Sequence, residues 1–143
     1  MSKGNTFEND LMKMIFNATA IANLCDNAAT SPLTNLYLSL HTADPGEAGD
    51  QTTSEAAYTG YARVAVARTS GGFTVTANSV SPVNNVDFGE CTAVPGGAIT
   101  HFAIGTAASG TGKVLYKGAL TPAITMAVGV IPRIKNTSTI TED

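Results

Sequence analysis

The feature that most constrains this chain is the period-two alternation of apolar and polar residues on either side of a turn-rich loop. Residues 35–68 read NLYLSLHTADPGEAGDQTTSEAAYTGYARVAVAR. Leu36, Leu38 and Leu40 alternate with Tyr37, Ser39 and His41, which places three leucines on one face of a strand and polar groups on the other. Pro45-Gly46 breaks the run and Gly49-Asp50 prolongs the loop. From Tyr58 to Arg68 the alternation resumes, with Ala62, Val64 and Val66 on one face and Tyr61, Arg63, Ala65 and Ala67 on the other. A helix does not sustain this period, so the segment predicts two half-buried strands.

The rest of the chain follows the same logic after a helical start. Phe7, Leu11, Met14, Ile15, Ala18, Ile21 and Ala22 form a helical stripe. Asn5 or Thr6 is placed to cap it, with Glu8 set for a capping box to Asn5. A helix over 5–26 is expected, ended by Asn27 and Thr30-Ser31-Pro32. Beyond Pro32, turn clusters separate short strands. Ser70-Gly71-Gly72 joins the strand ending at Arg68 to Phe73–Ala77, and Pro82 with Asn84-Asn85 interrupts a weaker strand ending near Phe88. Pro95-Gly96-Gly97 precedes Ile99–Thr106, where Phe102 and Ile104 face away from His101 and Ala103. Ile124, Met126, Val128 and Val130 alternate with Thr125, Ala127, Gly129 and Ile131, and Pro132 suggests a sheet edge. The reading is one all-β domain over 1–143: an antiparallel, jelly-roll-like β-sandwich over 33–135, one N-terminal α-helix, and a polar tail over 136–143. Leu36, Leu38, Leu40, Val64, Val66, Phe102, Ile104, Met126 and Val128 are the expected core.

Composition narrows the function. Hydrophobic residues make up 43% but are rich in alanine and valine, with no Trp, which suits a thin core between sheets. Only 13% of residues are charged and the net charge is −3, so a surface covered by partner subunits is expected and nucleic-acid binding is not. Cys25 and Cys91 read as free thiols of a protein made in a reducing cytoplasm. The apolar stretch from Leu11 to Cys25 is interrupted by Lys13, Asn17 and Asn23, so neither a secretory signal nor a membrane span is expected.

Candidate chemistry is sparse. Ala107-Ala108-Ser109-Gly110-Thr111-Gly112-Lys113-Val114 imitates a phosphate-binding loop, yet Ala107 and Val114 stand at two of its defining positions and a strand follows. His41, His101 and Asp44 are the one conceivable metal trio, and surface or interface histidines bonded to neighbours are the simpler reading. Asp44, Glu47, Asp50 and Glu55 lack the ligand alternation of a calcium loop. No nucleophile elbow or Cys–His pairing is visible, so neither catalysis nor a cofactor is expected. Protein-binding chemistry remains. Tyr58, Tyr61 and Arg63, of the types enriched at interface anchors, and Asp44, Pro45 and Gly46 are the expected interface residues. A second reading, compatible with the first, packs the tyrosines and the arginine against the chain's own loop.

The pairing YLSLHTADPG…GYAR, with ITHFAIGTAASGTGKVLYKGALT at 99–121, resembles a family of small tailed-bacteriophage virion proteins described as tail-fibre-like or as capsid cement proteins. The resemblance implies a cement or decoration protein on the capsid exterior, made in the host cytoplasm. Such a protein binds where major capsid protein subunits meet and stabilises the mature shell; icosahedral sites favour a homodimer or homotrimer, and the charge and hydropathy of the chain give no reason to expect a nucleic-acid or membrane partner. The alternative it implies is a tail component, a fibre or spike-base subunit. In either setting an exposed sheet edge is a means of adding a strand to a neighbour.

Overall fold

A computed structural model describes residues 5–20 and 32–142. Its elements in chain order are α1 (Asn5–Asn17), β1 (Asn35–His41), β2 (Val64–Ala67), β3 (Phe73–Thr76), β4 (Ser79–Pro82), β5 (Val86–Asp87), β6 (Ile99–Gly105), β7 (Val114–Ile124), β8 (Arg133–Ile134) and β9 (Ile140–Thr141). The strands form three sheets, ordered β2-β1-β6-β7, β3-β4-β9 and β5-β8, and none closes into a barrel. The described residues adopt the expected antiparallel β fold with one helix. It divides into two compact units, one of Met1–Asn35, Val66–Val86 and Ile134–Asp143, the other of Leu36–Ala65 and Asp87–Arg133.

In the first unit α1 packs on the β3-β4-β9 sheet. Met12 and Phe16, one turn apart, are fully buried, and the Phe16 ring meets Phe73 edge-on at 5.0 Å. Asn9 donates from Nδ2 to the Ala77 carbonyl at 2.8 Å, tying the helix to the β3–β4 turn. The helix stops at Asn17, short of the expected 26, because Ala18 turns left-handed (φ 54) and the Thr19 amide closes onto the Lys13 carbonyl at 3.1 Å. Arg68 finishes the end: its guanidinium donates to the Met14 and Ile15 carbonyls, orphan acceptors that also carry the negative end of the helix dipole. The stripe positions Ile21 and Ala22, the thiol Cys25 and the stop signal at Asn27 and Thr30-Ser31 lie outside the described residues, as do the side chains of Asn5 and Phe7. The polar tail is not free. A turn closed by Ser138 on Lys135 returns the chain so that Ile140 pairs with Val80, and Asn78 donates to the Glu142 carbonyl at 2.9 Å.

In the second unit β1 runs through the middle of its sheet, with Leu38 opposite Ile104 and Leu40 opposite Phe102. Both faces of β1 are covered, so Ser39 and His41 are as deeply buried as the leucines. Leu36, Leu38, Leu40, Ile104 and Met126 are buried as expected, whereas Val64 and Val66 on an edge strand, and Phe102, are only half-buried. The strand expected over Tyr58–Arg68 shrinks to Val64–Ala67. The alternation after Ile124 is not a strand: the Val130 amide donates to the Ala127 carbonyl at 3.1 Å, with Gly129 at φ 89, making a tight turn. Val128 occupies its corner and is 63% exposed, which corrects its placement in the core. The edge strand β7 carries Lys117 near one end and Pro122, after a cis peptide bond, near the other.

Ala77 sits at φ 53 in the β3–β4 turn, where an L side chain is strained and glycine is not. Ala77→Gly is expected to raise stability by about 0.5–1 kcal/mol, read from urea unfolding midpoints. Arg68→Ala is expected to lower stability by about 1–2 kcal/mol, with accelerated amide exchange in the last turn of α1.

Candidate functional site

The loop between β1 and β2, residues 42–63, holds most of the chemistry-bearing side chains of the second unit. Two local turns shape it. Asp44 accepts from the Gly46 amide at 2.8 Å, with Gly46 at φ 76, and Asp50 accepts from the Thr52 amide and hydroxyl at 2.7 and 2.6 Å. These bonds, from the Gly46 amide and the Thr52 hydroxyl first, hold both carboxyls below the usual carboxylate range. Asp44 and Glu47 also receive Lys117 from β7, at 3.0 and 3.1 Å. A cleft of about 290 Å³ lies between residues 46–49 and residues 114–117.

Further along, the loop is bolted to the sheet by buried polar groups. The Arg63 side chain is 2% exposed and grips Glu55 through Nε–Oε1 at 2.6 Å and Nη2–Oε2 at 2.8 Å. Its remaining donors reach the carbonyls of Ala107 at 2.9 Å and Gly110 at 2.8 Å in the β6–β7 loop. Tyr61 donates its hydroxyl to Glu55 at 2.9 Å and accepts the Leu40 amide at 3.1 Å. Burial, with Glu55 beside it, pushes the Tyr61 phenol well up. Tyr58, 3% exposed, donates to the Gly89 carbonyl at 2.9 Å, and burial pushes its phenol up to about 12. The two tyrosine rings meet edge-on at 5.4 Å, and Tyr61 stacks on Phe88.

Gln51 completes the bolt and carried no signal in the sequence. Fully buried, it donates from Nε2 to the Tyr37 carbonyl at 3.3 Å and accepts the Ala107 amide at 3.0 Å, while its own amide donates to Gly112 at 2.9 Å. A Cβ on Gly105 would stand 2.1 Å from its Cδ, and one on Gly112 would stand 2.1 Å from its Oε1. Gly105, just before the mock phosphate loop, and Gly112, within it, therefore make room for Gln51, and strand β7 follows where a phosphate loop needs a helix. The clue available beforehand was a glycine at each end of a hairpin loop, facing a glutamine in a turn.

His41 corrects another expectation, since it is wholly buried and not a surface histidine. Its Nδ1 bonds the Thr53 carbonyl at 2.9 Å and its Nε2 the Ser39 hydroxyl at 2.9 Å. A carbonyl only accepts, so Nδ1 carries the proton and Nε2 accepts. Burial lowers the His41 pKa. His101 stands directly opposite in the β1–β6 register, but among the described residues no group of three or more His, Cys, Asp or Glu is placed to hold a metal.

The six expected interface residues thus fall into two groups. Tyr61 and Arg63 converge on Glu55, Tyr61 also meets the rings of Tyr58 and Phe88, and a shallow cleft of about 300 Å³ lies between Glu55, Tyr61 and Arg63 on one side and Ser109 and Gly110 on the other. Tyr58 and the side chain of Arg63 present almost no surface in the isolated chain. Of the second group, Asp44 is exposed, Gly46 half-buried and Pro45 buried, next to Lys117.

Glu55→Ala leaves the Arg63 guanidinium buried without its counter-charge and is expected to cost about 3 kcal/mol, against about 1 kcal/mol for Tyr61→Phe, both by chemical denaturation. His41 generates a pH dependence of known sign. Its folded-state pKa lies below the ordinary 6.5, so its contribution is full above 6.5, falls as the pH drops, and is lost below the folded-state value. Unfolding midpoints are expected to decline from pH 7.5 toward about pH 5, and His41→Gln is expected to remove that slope while lowering the plateau.

A search of curated proteins gives no match. A family model described as "Podophage GP4 fiber I protein gp80" matches residues 3–141. With the match running over nearly the whole chain, and an antiparallel β fold whose polar side chains brace loops, the chain belongs to the Gp80 family of phage virion structural proteins.

Proposed function

We propose that this chain is a structural subunit of the fibre apparatus of a podophage virion, acting by protein–protein contact without catalysis or cofactor. The observation that carries the reading is the chain-long match to a family described as fiber I. The geometry supports a bracing role. Arg63, Glu55, Tyr61, Gln51 and His41 are committed to holding the chain's own loops, which leaves surfaces rigid before any partner arrives. The chain shows no internal repeat of the kind that builds a long shaft, which favours a compact building block at a junction.

The reading on the capsid exterior, as cement against the major capsid protein, predicts a different phenotype. Cement binds only the assembled shell and stabilises it by mass action. A fibre subunit leaves the head untouched and serves attachment. Particles lacking the protein are expected to release their genomes at the same temperature as complete particles, but to adsorb poorly to host cells. Heat-fragile heads with normal adsorption would overturn the fibre assignment in favour of cement.

A further inference from the structure

Two histidines face each other at the foot of the β1–β2 loop, and the loop segment beside the deeper one is held in a strained shape. His41 ends β1 directly opposite His101 of β6, and on its other flank it bridges Glu55 of the loop. Directly opposed residues of antiparallel chains point to one face, so Glu55, His41 and His101 form a row across the sheet. His41 is wholly buried and His101 half-buried.

The loop is pinned on both sides of this contact. The Gln51 amide donates to the Gly112 carbonyl at 2.9 Å, and Glu55 is gripped by Arg63 Nε at 2.6 Å. Between the pins the Thr53 carbonyl accepts His41 Nδ1 at 2.9 Å, and the Ser54 carbonyl accepts the Thr42 amide at 2.8 Å and its hydroxyl at 3.2 Å. Ser54 is exposed and stands at φ 54, a left-handed conformation that is strained for an L side chain. The bonds to the two carbonyls hold that strain in place.

We propose that residues 52–54 form an acid-released clasp, in which proton uptake by His41 lifts the segment off the end of β1 while Gln51 and Glu55 keep their places. A charged imidazole in the closed site is cut off from water, and its neighbours do not make up the loss. Glu55 attracts it but is already shared by Arg63 and Tyr61, Arg63 and His101 repel it, and the Tyr61 phenol stays neutral. Nε2 accepts from Ser39 while neutral and becomes a donor when protonated, so the Ser39 hydroxyl loses its acceptor. Burial is the largest effect and lowers the His41 pKa from the ordinary 6.5, although the Thr53 carbonyl and Glu55 pull the other way. The clasp is therefore fully closed above 6.5 and loosens as the pH falls toward the folded-state value. Release also lets Ser54 return to an ordinary backbone angle. The inference goes beyond the fibre reading and is independent of where the subunit sits in the particle.

The test is amide hydrogen exchange of the full chain at pH 7.5 and 5.5, corrected for the intrinsic pH dependence of exchange. Protection of the Thr42 amide is expected to fall by about tenfold, which is what one proton bound only by the open form gives over that interval. Low concentrations of urea are expected to leave Thr42 exchange unchanged, because lifting three residues uncovers little surface. The amides of Gln51 and Ala56, bonded to Gly112 at 2.9 Å and Leu40 at 2.8 Å, are expected to stay better protected than Thr42 at both pH values. His41→Gln is expected to abolish the fall at Thr42. Should that variant not fold, NMR titration of the His41 ring in the wild type decides, since its protonation must track the loss at Thr42. Three results overturn the proposal: unchanged protection at Thr42, a fall that survives in His41→Gln or runs apart from the ring titration, or Thr42 exchange that rises with urea and matches Gln51 and Ala56, which is unfolding of the whole chain.

Discussion

Removing a guanidinium from water costs several kcal/mol, and at Arg63 that cost is met by a two-toothed grip on Glu55 and two carbonyls of the β6–β7 loop. The arrangement makes three stretches of backbone mutually dependent. Glu55 is fixed in the β1–β2 loop, Arg63 leads into β2, and Ala107 and Gly110 belong to the β6–β7 hairpin. Tyr61 extends the same unit into β1 by accepting the Leu40 amide. If any one of these segments moves, the guanidinium is left without partners in a dry site, so the loop has one favourable position.

Gln51 and His41 enforce the same position by a different means. Each is a neutral side chain that satisfies a carbonyl and takes a donor from elsewhere: Gln51 between Tyr37 and Ala107, His41 between Thr53 and Ser39. Buried neutral polar groups carry little penalty when fully bonded and a large one when not, so they specify geometry more than they add stability. The space that Gln51 needs is supplied by Gly105 and Gly112, where any side chain would collide with it.

The strands of the second unit were legible where apolar residues alternated against polar ones, as at Leu36, Leu38 and Leu40. The same rule misread Ile124 to Ile131, because a left-handed Gly129 turns the chain and the period of the sequence does not reveal the backbone angle. It overextended α1 for a related reason: Ala18 adopts a conformation that alanine seldom takes, and Arg68, distant in sequence, covers the exposed carbonyls. Tyr58, Tyr61 and Arg63 are legible in the sequence as large amphipathic side chains, which serve an interface and an internal brace equally well. The brace was not legible, because the pairing of Glu55 with Arg63 depends on how the loop folds back.

The outer edge of β7 bears on how copies behave before they are assembled. An edge strand of this length is an open template for another chain. Here Lys117, held by Asp44 and Glu47, brings a loop across one end, and Pro122 removes a backbone donor near the other. Crowded newly made subunits in an infected cell therefore meet a poor seam for uncontrolled strand addition. Growth into disordered fibrils is blunted at the same strand that completes the sheet, and ordered assembly is left to contacts whose geometry the folded side chains dictate.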